Sequence, residues 1–290
     1  MNGWIFIDKP KNITSFKVIK ILRKILKIKK IGHSGTLDPF ATGILAIAIG
    51  EATKSIQYFV TNKTYQFNVV FGELKDTDDI TGITLKRSDV IPTKKQIDEG
   101  VINFIGQHYQ NPPKYSAIKI KGQRAYKLAR RNKIFDIPKK KVIIERLQCI
   151  EKLSANEFSF LLECSAGTYV RSIARDLGEM LGTFAHVSEL RRTKMGKIQE
   201  KDIILLDKFR ELVHIGDHFG VVHSIRDVLD DIPAVMIDSE LSYKFQNGLG
   251  FKYPINKYKS DYLLIETKTG FLGIGKSMNG IIKPVRVFNL

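Results

Sequence analysis

Asp38 is a residue from which a reaction could start. It lies in the stretch Gly32-His33-Ser34-Gly35-Thr36-Leu37-Asp38-Pro39-Phe40-Ala41-Thr42-Gly43, whose three glycines and one proline read as a loop. Asp38 is the single carboxylate of that stretch, and the following Pro39 restricts its backbone. A polar loop held between hydrophobic elements is a common seat of catalysis. The same aspartate could instead form a turn or a cap. His33, the single histidine of the loop, could stack on a base or contact a phosphate.

Other clusters fail on their own chemistry. Asp76, Asp78 and Asp79 look like the opening of a calcium loop, but Ile80 stands where a further oxygen donor is required. His214 and His218 are four apart with no acid directly after the first, so they do not form a zinc-protease helix and read as surface histidines. Gly273-Ile274-Gly275 lacks the third glycine and the crossover unit of a dinucleotide fold. No glycine loop ends in Lys-Ser or Lys-Thr to cradle a nucleoside triphosphate. Cys149 and Cys164 have neither zinc-site nor redox-motif spacing.

The elements around the loop follow from periodicity. Trp4 to Asp8 reads as a strand ended by Pro10. Thr14 or Ser15 can cap a helix whose apolar face is Val18, Ile21, Leu22, Ile25 and Leu26. The other face carries Lys17, Lys20, Arg23, Lys24, Lys27, Lys29 and Lys30 with no acid between them, and it either is solvated or meets phosphate. Strands are expected at 43–50, 65–72, 142–150 and 158–165, and a helix at 97–105. Gly167-Thr168 opens a further helix with Val170, Ile173, Ala174, Leu177 and Leu181 as its core stripe. Strands and helices mix without regular crossover units, which predicts an α+β fold. A boundary is expected near Asp230-Asp231-Ile232-Pro233. Beyond it, strands at 262–266, 271–275 and 285–288 predict a small β-barrel.

Charge gives the class of partner. The 290 residues contain 47 Lys+Arg against 30 Asp+Glu, a net charge of +17, which points to nucleic acid or an anionic membrane face. Residues 1–229 carry +15 of it and residues 230–290 only +2. Residues 114–146 hold twelve Lys+Arg, only Asp136 and Glu145 as acids, and Tyr115 and Tyr126 interleaved. No apolar run approaches a membrane span, and Met1-Asn2-Gly3-Trp4 lacks the features of a signal peptide, so a reduced cytoplasm is the expected location.

Gly32 to Leu45, followed by GEATK at Gly50 to Lys54, resembles the catalytic motif of bacterial tRNA pseudouridine synthases of the TruB type. Asp8-Lys9-Pro10 with Thr14-Ser15 is similar to that family's opening signature. Lys63 to Gly72 with Thr77 to Asp79 is similar to its second motif. Pro112 to Arg130, Cys164 to Gly178 and Ala185 to Thr193 complete the family order. Ser34, Thr36 and Ala166 depart from the common pattern, and none of them is a reacting group.

The resemblance implies a pseudouridine synthase core over 1–229, with a mixed, mainly antiparallel central sheet flanked by helices. It implies a thumb-like basic insertion at about 112–146 and a PUA-like RNA-binding domain over 230–290. The implied reaction converts uridine 55 of the tRNA T loop to pseudouridine, an isomerisation that needs no cofactor and no metal. Asp38 is the implied catalytic carboxylate, attacking ribose C1′ or uracil C6 or acting through a glycal. Arg171 is its implied partner, and an arginine suits this because it stays charged and offers two parallel donors. Tyr65, Tyr169 and Leu190 are the implied uridine pocket, His33 the implied histidine that takes a place in the disrupted T-loop stack, and Lys9 a residue near the site. The implied partner is the T-arm stem-loop of tRNA, with no membrane and no protein partner, and the chain is expected to be a monomer. A silent RNA binder on the same scaffold and a ribosomal RNA pseudouridine synthase are the alternatives.

Overall fold

The computed structural model describes residues 1–131, 133–254 and 260–290; position 132 of the expected thumb and positions 255–259 of the expected C-terminal domain lie outside them. The N-terminal part contains β1 (Gly3–Lys9), α1 (Ser15–Leu26), β2 (Ile31–Ser34), β3 (Thr42–Ile49), β4 (Lys63–Phe71), β5 (Glu73–Lys75), β6 (Thr84–Arg87), α2 (Lys94–Val101) and β7 (Gly106–Gln110). It continues with β8 (Lys119–Ile120), β9 (Gln123–Arg124), α3 (Ala125–Ala129), β10 (Lys140–Lys152), β11 (Glu157–Cys164), α4 (Val170–Met180), β12 (Ala185–Met195), β13 (Ile198–Gln199), β14 (Ile204–Leu205), α5 (Leu206–Ile215) and α6 (Ile225–Val228). The C-terminal part contains β15 (Ala234–Met236), α7 (Ser239–Gln246), β16 (Phe251–Lys252), β17 (Tyr262–Thr267), β18 (Gly270–Met278) and β19 (Ile281–Val287).

One large sheet runs in the order β14-β1-β3-β12-β4-β11-β10-β7, with β2 added to β3 and β13 to β12. The pairs β1–β14 and β3–β12 are parallel, and the rest are antiparallel. This is the expected α+β architecture. In β4 the alternation is strict: Tyr65, Phe67, Val69 and Phe71 are buried while Gln66 is exposed. Opposite them β11 buries Phe158, Phe160, Leu162 and Cys164, and Phe67 stacks on Phe160 at 5.3 Å. One apolar cluster fills the space between this face and α1, α2 and α4.

Thr14 caps α1 by accepting from the Lys17 amide, and Val18, Ile19 and Leu22 are buried. The helix is shorter than its lysine run. Lys27 adopts a left-handed conformation (φ 56°) that ends it, so Lys29 and Lys30 lie beyond the helix. In α4, Val170, Ile173, Ala174 and Leu177 form the buried stripe, and Leu181 caps the end half-buried. Between β7 and β10 stand the short hairpin β8–β9 and α3; the last part of the basic run, from Lys140, belongs to β10.

The expected C-terminal barrel is a curled half-barrel sheet in the order β15-β17-β18-β19-β16. The three strands read from the sequence are its centre. The short edge strands β15 and β16 are additional, being too short to show a period. Leu264, Ile274 and Phe288 of this sheet join Trp4, Phe6, Ile44 and Ala46 of the large sheet in a second apolar cluster. No helix among the described residues is long and apolar enough to cross a membrane.

Trp4 is fully buried at this junction, packs on Phe59 at 5.0 Å, and donates from Nε1 to Ser55 Oγ at 3.2 Å. Trp4→Ala is expected to destabilise the protein by about 3–5 kcal/mol, the cost of a large buried aromatic. Urea unfolding measures this, and an unchanged midpoint would show that the junction contributes nothing.

Candidate active site

The Asp38 loop connects β2 to β3 and is fastened on every side. Leu37 and Phe40, on either side of the aspartate, are buried anchors. Ser15 Oγ donates to the Leu37 carbonyl and accepts from the Leu37 amide, both at 2.9 Å. The Pro39 carbonyl accepts from the Asn12 amide at 2.8 Å and from Lys9 Nζ at 3.2 Å. Lys9 is completely buried and donates also to the Pro10 and Ile13 carbonyls at 2.8 Å each. Gly43, at φ +93°, lies where any Cβ would collide with the Arg192 backbone of β12, so glycine is required for β3 to approach β12.

Arg171, the second residue of α4, reaches this loop. Its Nε lies 2.8 Å from Asp38 Oδ2, and its Nη2 donates to Asp38 Oδ1 at 3.0 Å. Two guanidinium nitrogens thus lie against the two carboxylate oxygens, with the hydrogen bond made by Nη2. Arg171 also donates to the Thr77 carbonyl at 2.8 Å and the Tyr115 carbonyl at 3.0 Å, and pairs with Asp79 at 3.3 Å. Its helix starts where it does because Gln110 grips Tyr169 through both amide atoms, accepting from the Tyr169 N–H at 2.8 Å and donating to its carbonyl at 2.9 Å.

Charge in the site is set by burial against these partners. Burial raises the Asp38 pKa, the Arg171 guanidinium opposes it, and the nearby Asp79 carboxylate adds to the rise. The side chain opens to solvent only in part, at 30% exposure, while Arg171 is 4% exposed. Lys9 is brought down to about 8 by burial, partly offset by Asp38.

Asp38, Tyr65, Tyr169, Arg171 and Leu190 converge on one cavity of about 230 Å³. Its polar wall is the Asp38–Arg171 pair, and Tyr65 and Leu190 give it an apolar wall. Burial raises the pKa of both Tyr65 and Tyr169, so both keep neutral phenols. Such a cavity can take a planar, partly polar ring with a carboxylate beside it.

Two of the expected site residues lie outside the cavity lining. Lys9 lies beneath the loop, its ammonium spent on three carbonyls rather than on the cavity. His33 is on β2, half-buried and outside the cavity lining, with Nδ1 unpartnered and its pKa lowered first by burial and then by Arg192. The sequence reading missed Asp79, the second carboxylate on Arg171. It also missed Lys63 and Arg192, cations that line the cavity although 7% and 1% exposed. For Asp79 a signal was present in the acidic run 76–79, set aside there because it fails as a calcium loop.

The model of the TruB family pseudouridylate synthase N-terminal domain matches residues 23–170, and that of the tRNA pseudouridylate synthase B C-terminal domain matches residues 171–235. The chain is 42% identical to the tRNA pseudouridine synthase B of Ehrlichia ruminantium over the whole of both chains. It is 38% identical to that of Bradyrhizobium diazoefficiens, over 100% of this chain and 86% of the relative. The crystal structure of a Cbf5-Nop10-Gar1 complex contains a chain 25% identical, with a TM-score of 0.76, over 99% of this chain and 85% of that one. The chain belongs to the TruB family of pseudouridylate synthases.

Proposed function

We propose that this enzyme converts uridine 55 in the T loop of tRNA to pseudouridine, with Asp38 as the nucleophile. The observation that carries the reading is the close Asp38–Arg171 ion pair at the wall of the cavity. A silent RNA binder has no use for a carboxylate placed there, because a carboxylate repels phosphate. The tRNA substrate follows from the relatives, which are named tRNA pseudouridine synthase B. Position 55 follows from the motif resemblance of the Asp38 loop.

The reaction is balanced without a co-reactant. The uridine leaves its stack and enters the cavity, where Tyr65 supplies an aromatic surface in place of the lost neighbours. Asp38 attacks ribose C1′ or uracil C6, the C1′–N1 bond breaks, and the uracil turns. A bond then forms between C1′ and C5, the bond from Asp38 to C1′ or to C6 breaks and returns the free carboxylate, the C5 proton leaves, and N1 gains a proton. Any such attack needs Asp38 ionised, which is what the guanidinium favours. The proposal is a monomer acting on tRNA, with the basic segment between β7 and β10 closing over the RNA backbone.

The test is to treat an unmodified tRNA transcript, and a ribosomal RNA fragment in parallel, and to map pseudouridine in both. A single pseudouridine at T-loop position 55 is the expected result. Pseudouridine only in the ribosomal fragment, or in neither RNA, would overturn the proposal.

A further inference from the structure

The cavity of the Asp38–Arg171 pair is also lined by two cations, Lys63 and Arg192. A Cβ added to Gly35 would meet Arg192 Nη1 at 3.2 Å and Lys63 Cε at 3.3 Å, so both converge on one point of the Asp38 loop. The Lys140 ammonium lies over Gly167, another cavity residue, at a place any Cβ there would occupy. Among the described residues none of the three makes an ion pair, whereas Arg171 holds two carboxylates. Lys63 donates only to the Thr61 carbonyl, at 3.0 Å, and so leaves two of its three donors unspent although 7% exposed. Arg192 donates to the Ile44 carbonyl at 2.7 Å and the Gly35 carbonyl at 2.9 Å.

A buried cation without a counter-charge is costly unless a ligand supplies one. Burial, followed by the Arg192 charge, brings the Lys63 pKa down to about 8, and the Lys140 charge adds to the fall. The Tyr65 hydroxyl feels both Arg192 and Asp38. A nucleotide held in this cavity brings an anionic linkage with it, and these cations line the same cavity.

We propose that Lys63 and Lys140, backed by the buried charge of Arg192, form a phosphate subsite that grips a phosphodiester flanking the target uridine. The subsite deepens the pseudouridine synthase reading and rests on it. It would hold the nucleotide by its backbone on one side while Asp38 works on the other.

The test uses a T-arm hairpin in which the phosphate 5′ or 3′ of the target uridine is replaced, one at a time, by an uncharged methylphosphonate. For the wild type, one of the two replacements should lower kcat/KM by about ten- to a hundredfold, the loss of a charge-assisted contact. Lys63→Gln and Lys140→Gln should each be slower on the unmodified hairpin, yet lose less than about twofold on the methylphosphonate. Lys140 is exposed, so Lys140→Gln carries the test alone if Lys63→Gln does not fold. Equal losses in wild type and variants, or no loss in the wild type at either phosphate, would overturn the subsite. A wild type that makes no pseudouridine in the unmodified hairpin would instead overturn the reading beneath it.

Discussion

Asp38→Asn is expected to abolish turnover, by about a thousandfold or more, while RNA affinity changes by less than about threefold. The amide is isosteric and still accepts from Arg171, so the loop stays fastened through Ser15, Lys9 and Asn12. What is lost is the anion that attacks. Tritium release from a T-arm hairpin carrying 5-tritiated uridine measures turnover, and a titration of the same hairpin measures binding. Turnover at the wild-type rate would exclude Asp38 as the nucleophile.

Arg171 is expected to show the second largest effect, and in two separable ways. Arg171→Ala leaves Asp38 and Asp79 without their shared guanidinium, at a cost to stability of about 3–5 kcal/mol, as for breaking a buried pair. The sign of the pH effect follows from the same geometry. The guanidinium pulls the Asp38 pKa down against burial and against Asp79, so its removal moves that pKa up. Activity that needs the carboxylate is lost as pH falls through its pKa, so the acid limb of the rate profile should move to higher pH. Arg171→Lys keeps the charge and loses the fork. Its acid limb should stay nearer that of the wild type, with kcat reduced about tenfold by the looser orientation. An acid limb that does not move in Arg171→Ala, measured on folded protein, would show that the pair does not set the charge of Asp38.

Much of the fold and part of the site could be read from residue order. The strict alternation of β4 and β11 and the stripe of α4 are local patterns, and the structure follows them closely. Asp38 was visible because one carboxylate in a glycine-rich loop is conspicuous by itself. Asp79 and Arg192 were not, because their meaning comes from contacts across the chain. Asp79 matters only through Arg171, and Arg192 only because β12 runs beside β3 and brings it under Gly35. The lysine run at 17–30 read as one helical face, but a left-handed residue at Lys27 ends the helix, which no apolar period announces. The edge strands β15 and β16 are of three and two residues, too short for alternation to register.

The junction at Trp4 has a bearing on how the protein is made and cleared. β1 leaves the ribosome early, but its neighbours arrive at opposite ends of synthesis. β3 follows soon, whereas β14, the reciprocal 2.8 Å backbone pairing of Trp4 with His223, and the cover provided by Leu264, Ile274 and Phe288 come much later. Until then β1 carries an open edge and a partly uncovered aromatic face, the kind of surface that chaperones hold and proteases select. A chain broken before β17 keeps every residue of the Asp38 cavity yet cannot cover that face. The cover of Trp4 and the cavity of Asp38 are thus built by different stretches of the chain, the one completed only by its last strands and the other closed by residue 192.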